Sequence, residues 1–369
     1  MHHSDITIIG GGVMGLMTAR EFLNAGISVT VLEKNLCGQE SSWAGGGILS
    51  PLYPWRQNQA IGNLALQSME HYSKLATQLH ADTGIDPEWT QSGLLITQNL
   101  DDELARNWCE KHSIQIQTAE NGQLQNLNAQ TQKPIFLPQI AQIRNPRFLQ
   151  ALKQDVLNKG VRLIEQCEIS SFTVEHNRIH DVHTNHGKFV SKEIVLTMGA
   201  WTHSMFQQHL IGLLDAPEIY PVKGQMLLFD APPDTLRHII LDGDQYLIPR
   251  RDGKILAGST VEHDVFHKTL TIEAHEQITH FATTLLPDLN NAPMIKHWAG
   301  LRPATDDGVP YIGRHPEIHN FSLNAGHFRN GLTMAPASAR LLVDLVLNRP
   351  PVVNPEPYQF VKHLSKTEL

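Results

Sequence analysis

The sequence predicts an α/β fold with two domains, one built on a parallel sheet and one of α+β type with a large antiparallel sheet. Three observations support this prediction. The chain begins with a strand, a glycine-rich turn, a helix and a second strand, which is the order of a βαβ unit. Short strand patterns separated by turn residues follow between residues 161 and 258. The 369 residues, 41% hydrophobic and 18% charged, suffice for two packed domains.

The βαβ unit is predicted from the first 33 residues. Residues 5–10 form a short apolar run, and a helical pattern then continues to Ala25. Gly26 ends this helix. Residues 28–32 form a second apolar run, expected to be a buried parallel strand that stops at Glu33.

Gly10, Gly12 and Gly15 form a GxGxxG turn between the first strand and the helix, and Glu33 lies 18 residues after Gly15. The first glycine permits the turn, the second lets the backbone approach a pyrophosphate, and the third allows close helix packing. Glu33 is expected to accept hydrogen bonds from a ribose. This combination predicts a dinucleotide site, whereas GxGxxG alone also fits an ordinary glycine turn.

The remaining elements are predicted from periodicity and turn residues. Helices are expected at 60–83, 145–160 and 331–347. An irregular inserted region is expected between the first two, up to Pro138. Residues 161–164, 169–174, 179–184 and 189–196 read as one antiparallel meander. Residues 251–253 are the turn of a hairpin between 246–250 and 254–258, and 320–324 is a further strand.

Composition argues against several classes of partner. The formal net charge is −8, and the sequence lacks the basic surface that a nucleic acid requires. No stretch approaches the roughly 18 apolar residues of a membrane span, so we expect a soluble cytoplasmic protein. Cys37, Cys109 and Cys167 show no CxxC spacing and are expected to be reduced packing residues. The spacing of His176, His180, His183 and His186 does not fit a metal site on a strand, so no metal is expected.

The segment 40–48 favours FAD over NAD as the dinucleotide. It contains Ser41, Ser42 and the glycines 45–47, which give hydroxyls and bare backbone suited to an extended pyrophosphate. A flexible surface loop is the alternative interpretation. There is no second GxGxxG and no redox cysteine pair, which argues against flavoproteins that also bind a nicotinamide.

Motifs from residue 5 to residue 347 resemble the D-amino-acid oxidase family of flavoproteins and, within it, the bacterial glycine-oxidase subgroup associated with thiamine biosynthesis. The matching segments are GGGVMGL, SSWAGGGILSPLYPW, NPRF, GAW, PVKGQM, YLIPRRDG, WAGLRPATDDGVPYIGR and GHFRNGLTMAPAS. The resemblance implies an FAD-dependent oxidase that deaminates glycine, sarcosine and small D-amino acids by hydride transfer to flavin N5. Molecular oxygen is the implied acceptor, with glyoxylate or its imine, ammonia and hydrogen peroxide as products, and a homo-oligomer is expected.

The resemblance also implies which residues contact FAD. In addition to the glycines 10, 12 and 15, they are Val13, Met14, Glu33, Lys34, Ser41, Ser42, Gly46, Gly47, Ile48, Ile169, His327, Phe328, Arg329, Asn330, Gly331, Leu332 and Thr333. Some relatives attach FAD through a cysteine after the conserved arginine, but residues 305–308 here are TDDG. A non-covalent flavin is therefore expected. The helix that begins near Gly331 is expected to direct its positive end at the flavin.

Three further residues are implied at the substrate. Arg302 matches the arginine that forks onto the substrate carboxylate. Tyr246 matches a tyrosine that meets the carboxylate and narrows the pocket, and Arg329 matches a second arginine near the amino acid. From the residues alone, other roles stay open: an ion pair of Arg302 with Asp306 or Asp307, an amphipathic strand position for Tyr246, and capping of its own loop by Arg329.

The predicted domains are discontinuous. Residues 1–85, 141–215 and 295–348 are assigned to the FAD domain, residues 86–140 and 216–294 to the substrate domain, and residues 349–369 to a C-terminal tail. Two other functions remain open: a dehydrogenase of the same fold that passes electrons from D-amino acids to a membrane quinone, and a flavin-binding module without oxidase activity. The lack of a basic amphipathic anchor disfavours the dehydrogenase.

Overall fold

The computed structural model describes residues 2–210, 216–263 and 265–360. The strands are β1 (His2–Ile9), β2 (Val29–Leu32), β3 (Leu94–Ile96), β4 (Gln117–Thr118), β5 (Ile135–Leu137), β6 (Arg162–Ile164), β7 (Ile169–Glu175), β8 (Arg178–Thr184), β9 (Gly187–Leu196), β10 (Tyr220–Phe229), β11 (Ile239–Asp242), β12 (Gln245–Pro249), β13 (Ile255–Gly258), β14 (Met294–Ala304), β15 (Tyr311–Arg314) and β16 (Phe321–Ala325). The helices are α1 (Val13–Asn24), α2 (Ser41–Ala44), α3 (Gln59–Thr83), α4 (Asp102–Lys111), α5 (Asn121–Leu124), α6 (Asn145–Asn158), α7 (Thr202–His209), α8 (Ile272–Leu285) and α9 (Gly331–Val346).

The first sheet has a parallel centre in the order β16, β9, β1, β2 and β6, with β15 antiparallel at one edge. Strands β7 and β8 continue from β9 as an antiparallel meander. One face of the sheet is covered by α1, α3, α6 and α9, whose apolar residues share a core with Ile6, Ile8 and Val31. Apolar side chains on both faces are buried, as expected for parallel strands.

The second sheet runs in the order β14, β10, β13, β12, β11, β3, β5 and β4. Its pairs are antiparallel except for β3 and β11, which are parallel. Helix α8 packs on one face with Leu227, Leu247 and Ala257. Met226, Tyr246 and Ile248 belong to the opposite face. The predicted fold class, a Rossmann-like part and an α+β part with a large antiparallel sheet, is confirmed.

One prediction about strand placement was wrong. Residues 161–164 were assigned to the meander, but β6 pairs in parallel with β2 at the edge of the first sheet. The local pattern of a strand does not specify its distant partner. Residues 295–304, assigned from the sequence to the FAD domain, lie in β14, which pairs with β10 along the edge of the second sheet.

The other differences between the predicted and the observed fold concern smaller parts of the chain. Part of the predicted tail is packed: Tyr358 is buried, and its hydroxyl donates to Ala60 O over 2.7 Å. The boundary predicted at residue 215 and residues 361–369 of the tail lie outside the described residues. Within the described ranges, no helix is both long and apolar enough to cross a membrane.

Helix α9 contains Pro336 and depends on α3 for two hydrogen bonds. Proline has no backbone N–H, so the carbonyl of Leu332, four residues earlier, loses its helical donor. The Tyr72 hydroxyl donates to this carbonyl instead. Ser68 Oγ accepts from Ala337 N at 3.0 Å. These two bonds fix the first turns of α9, which face the cavity described next.

Candidate active site

A cavity of about 450 Å³ lies between the two sheets. Its walls are the carboxyl ends of β1, β2, β9 and β16 and side chains of β10, β12 and β14. The carboxyl ends of parallel strands are the usual ligand-binding edge of such a sheet. All site residues predicted from the sequence line this cavity except Gly15.

The glycine-rich turn contains glycines with different structural requirements. Gly10 has φ +108°, and a Cβ there would lie 2.6 Å from Thr197 O. A Cβ on Gly15 would lie 1.9 Å from Gly10 O, so Gly15 lets α1 pack against the turn. At Gly12 the nearest atom to an added Cβ is Ser42 Oγ at 3.2 Å. Gly10 and Gly15 are therefore required by the chain itself, whereas Gly12 faces the cavity.

The amino end of α1 opens onto the same cavity. Val13 N donates to Ser42 Oγ at 3.0 Å, and Gly12 gives no side-chain cap. The unpaired N–H groups and the dipole of such a helix end attract an anion. This geometry suits the pyrophosphate expected from the sequence.

Glu33 closes the far end of the cavity. Its carboxylate accepts hydrogen bonds from Gly11 N at 2.7 Å and from Asn35 N at 2.8 Å. Lys34 forms an exposed ion pair with Glu168 at 2.8 Å, which contributes little to stability. Ile169 follows in the wall beside this pair. Glu33 thus ties the glycine turn to the end of β2.

Hydrogen bonds and close backbone contacts from distant residues hold the segment from Ser41 to Ile48. Asn145 Nδ2 donates to Ser42 O at 2.7 Å, and Arg250 Nη2 donates to Gly46 O at 2.7 Å. Gly47 has φ +80°, and a Cβ there would lie 2.0 Å from Ile143 O. Arg250 and Asn145 had no role assigned from the sequence, although both lie in matching motifs.

The segment before α9 supplies the neighbouring wall. His327 is buried, and its Nε2 lies 3.1 Å from Ser338 Oγ. Burial lowers the pKa of His327 to about 3, so the ring is neutral at physiological pH. Thr333 Oγ1 donates to Ile48 O at 3.0 Å, which joins the first turn of α9 to the 41–48 segment. The amino end of α9 therefore faces the cavity.

Arg302 lies on β14 at the cavity wall formed by the second sheet. Its Nη2 donates to Ser259 Oγ at 2.8 Å, and its Nη1 donates to Thr260 O at 3.3 Å and to Lys223 O at 3.4 Å. Among the described residues, no carboxylate lies within salt-bridge distance of this guanidinium. Asp306 and Asp307, the alternative partners, are exposed. Arg302 is therefore an inward cation with neutral partners, which suits an incoming carboxylate.

The charges around Arg302 are consistent with a buried cation that faces the cavity. Burial lowers the pKa of Arg302, and repulsion from Arg329 acts in the same direction. Arg329 is exposed at the rim, with its Cζ 5.5 Å from the Phe328 ring centroid. A bound anion would favour the charged form of Arg302 and so oppose both effects on its pKa.

Tyr246 and small residues form the floor beside Arg302. The Tyr246 hydroxyl lies 3.9 Å from Met226 Sδ. A Cβ on Gly46 would lie 2.7 Å from Ile248 Cδ1, and one on Gly258 would lie 3.1 Å from Met226 Cε. Met226 was missed as a site residue, because only cross-strand pairing places it beside Tyr246.

Comparisons with known proteins agree with this geometry. Residues 5–345 match the FAD dependent oxidoreductase family, DAO. Glycine oxidase of Pseudomonas aeruginosa is 41% identical over 359 residues, covering 96% of this chain and 97% of that protein. Glycine oxidase of Bacillus subtilis is 26% identical, covering 94% of each. The crystal structure of glycine oxidase from Geobacillus kaustophilus has a TM-score of 0.91 at 26% identity, covering 98% of this chain and 100% of that one.

The resemblance inferred from the motifs is thus confirmed, and so is the prediction of an FAD-dependent oxidoreductase. The family match extends over both sheets and includes every element that contributes to the cavity. The chain belongs to the DAO family of FAD dependent oxidoreductases.

Proposed function

We propose that the protein is an oxidase that uses non-covalent FAD to deaminate glycine, and also sarcosine and small D-amino acids. The observation that carries the proposal is Arg302, a cation inside the cavity without a carboxylate partner among the described residues. The 41% identity to the Pseudomonas aeruginosa glycine oxidase supports the same substrate class.

The polar groups of the cavity are suited to FAD. The side-chain oxygens Asn145 Oδ1 and Asn324 Oδ1 are buried in the lining without a hydrogen-bond partner among the described residues. Buried acceptors of this kind require donors, and FAD carries hydroxyl, imide and amino donors. The residues that would hold it are Gly10, Gly12, Val13, Met14, Glu33, Lys34, Ser41, Ser42, Gly46, Gly47, Ile48, Ile169 and the 327–333 segment. When bound, FAD accepts a hydride from the substrate Cα and passes the electrons to oxygen, which becomes hydrogen peroxide.

The flavin is inferred to be non-covalent from the positions of the cysteines. Cys167 lines the cavity, and its N–H donates to Glu33 O at 2.8 Å, so it lies at the end opposite Arg302. Burial raises the pKa of the Cys167 thiol, which keeps it in the unreactive protonated form. Acid or heat should therefore release a yellow supernatant, whereas flavin remaining with the denatured pellet would contradict the inference.

Arg302 is assigned the binding of the substrate carboxylate. A guanidinium donates two parallel hydrogen bonds to a carboxylate, a geometry that an ammonium does not reproduce. Ser259 and the carbonyls of Lys223 and Thr260 orient this guanidinium before substrate arrives. Tyr246 and Met226 narrow the space beside it, which favours amino acids with little or no side chain.

None of the carboxylates that line the cavity in the described part of the chain is free to act as a base for the substrate ammonium. Among the described lining residues, Glu33 is bonded to backbone N–H groups, Glu40 is paired with Lys268 at 2.7 Å, and Glu168 is paired with Lys34. Hydride loss from Cα requires a free nitrogen lone pair. The substrate is therefore expected to react as the neutral amine, with its proton lost to water.

Anaerobic mixing tests the proposed function. Purified holoenzyme is mixed with glycine, sarcosine or D-alanine, flavin absorbance is followed, and air is then admitted. Bleaching by glycine followed by rapid recovery in air, with peroxide formed, is expected. Bleaching that recovers only with an added quinone would indicate a dehydrogenase, and no bleaching would indicate a binding module.

Arg302→Ala tests the role of the arginine. Loss of a buried charge-assisted pair costs about 2 to 5 kcal/mol, so KM for glycine should rise roughly 30-fold to several thousand-fold. Arg302→Lys should recover little of this loss. Unchanged KM in both variants would show that Arg302 is structural.

A further inference from the structure

A buried polar cluster lies on the far face of β10 from the substrate cavity. Side chains alternate between the two faces of a strand, so Lys223 and Gln225 point away from Gly224 and Met226, which line the cavity. Lys223 is 1% exposed and Gln225 is fully buried. A lysine this deeply buried needs a compensating charge.

Glu262 provides that charge and collects the other donors of the cluster. Its Oε2 lies 2.9 Å from Lys223 Nζ. Its Oε1 accepts from Gln225 Nε2 at 2.8 Å and from Thr260 Oγ1 at 2.7 Å. The backbones of Lys223 and Glu262 also exchange two N–H to carbonyl hydrogen bonds of 2.9 Å. One carboxylate thus joins β10 to the segment that follows β13.

The same two segments supply the hydrogen-bond acceptors of Arg302. Lys223 O lies on β10, while Ser259 Oγ and Thr260 O lie on the segment that Glu262 holds. Glu262 does not touch the guanidinium, but its negative charge raises the pKa of Arg302. The position of the Arg302 guanidinium therefore depends on the distance between these segments.

We propose that Lys223 and Glu262 are positioning residues for substrate binding, acting through Arg302. This inference rests on the proposed role of Arg302 as the carboxylate-binding residue. The ion pair keeps Ser259, Thr260 and Lys223 O in place, so that the guanidinium presents its free N–H groups to the cavity. Loss of the pair weakens carboxylate binding and leaves the flavin site, on the first sheet, intact.

The test compares holoenzyme variants in two assays: KM and kcat with glycine, and titration with acetate, a carboxylate without an amine, followed by flavin absorbance. Glu262→Gln leaves Lys223 as an uncompensated buried cation and can impair folding. The variant carrying both Lys223→Met and Glu262→Gln removes both charges and avoids this penalty. The matched control is Glu276→Gln, the same chemical change on the exposed face of α8.

In the paired variant, KM for glycine and Kd for acetate should both rise ~10-fold, equal to about 1.4 kcal/mol, while kcat and FAD content stay close to wild type. Glu276→Gln should match wild type. A paired variant with wild-type KM and Kd would overturn the inference. So would a fall in kcat and FAD content at unchanged Kd, because that pattern indicates a general structural role.

A double-mutant cycle separates this inference from the proposed function. If Glu262 and Lys223 act through Arg302, the paired change should have no further effect on acetate Kd in an Arg302→Ala background. An additive effect would overturn the inference while leaving Arg302 as the carboxylate site. An Arg302→Ala variant with wild-type Kd would overturn the proposed role of Arg302, and with it this inference.

Discussion

The guanidinium of Arg302 lies directly over the backbone of Gly224. A Cβ on Gly224 would lie 2.2 Å from Arg302 Nη2 and 2.4 Å from its Cζ. The two residues are on neighbouring strands, and Val222 and Gly224 pair with Arg302 and Gly300 respectively. Gly224 is thus required by the position of Arg302 and not by its own backbone conformation.

Gly224→Ala should therefore displace the guanidinium and raise KM for glycine ~10-fold or more, with a smaller change in kcat. The measurement is steady-state kinetics at saturating oxygen. Gly62→Ala is the control. Gly62 lies in helix α3, and a Cβ added there meets no atom within 4 Å. That change should leave KM unaltered and stabilise the protein by up to about 1 kcal/mol. A Gly224→Ala variant with wild-type KM would show that glycine binding does not depend on this position of the Arg302 guanidinium.

Gly12→Val should prevent FAD retention while the protein still folds. The added side chain would occupy the space assigned to the pyrophosphate, and the nearest protein atom is the hydroxyl of Ser42 at 3.2 Å from the Cβ. Gly15→Ala is the contrasting variant, since its Cβ would clash with Gly10 O. Gly12→Val should lose flavin but keep the melting temperature of the apoprotein, whereas Gly15→Ala should lower that melting temperature. Stoichiometric FAD in Gly12→Val would refute the assignment of this turn.

Folding stability should fall in acid because of His327. Its pKa is about 3 in the folded state and about 6.5 when unfolded. Above the unfolded pKa both states are neutral. As the pH falls from about 6.5 towards 3, only the unfolded state binds the proton, and stability is lost at up to about 1.4 kcal/mol per pH unit.

The His327→Gln variant removes this titration. Denaturant unfolding near pH 7.5 and about pH 5 should show a loss of stability roughly 2 kcal/mol smaller in the variant than in wild type. His280→Gln, on the exposed face of α8, should follow the wild-type pH dependence. Identical pH dependence in His327→Gln and wild type would mean that the ring is not held neutral.

The rate of glycine oxidation should rise with pH because the substrate must react as the neutral amine. We predict that kcat/KM increases from neutral to alkaline pH in wild type. Tyr246→Phe should keep this slope and raise KM, since the hydroxyl is assigned to carboxylate binding and pocket shape. A Tyr246→Phe variant that lost the pH dependence at unchanged substrate binding would identify Tyr246 as a base.

Local patterns were sufficient for the parts of the fold that depend on near neighbours in the chain. The turn from Gly10 to Gly15, the helix after it and the hairpin at 251–253 each follow from residues within a few positions. The segments that form the cavity walls were identified by motif. The orders of the sheets were not, and strand 161–164 was misplaced for this reason.

The sequence by itself determined the glycine turn, the family and a part of the cavity lining, because these depend on residue type and short spacing. Only the tertiary structure decided three contacts. Arg302 has neutral partners, Arg250 donates a hydrogen bond to Gly46 O, and Glu262 forms an ion pair with Lys223 beside Arg302. These contacts join residues far apart in the chain, up to 204 positions for Arg250 and Gly46. Local periodicity carries no information about such pairs, since only strand pairing and the packing of the two sheets bring them together.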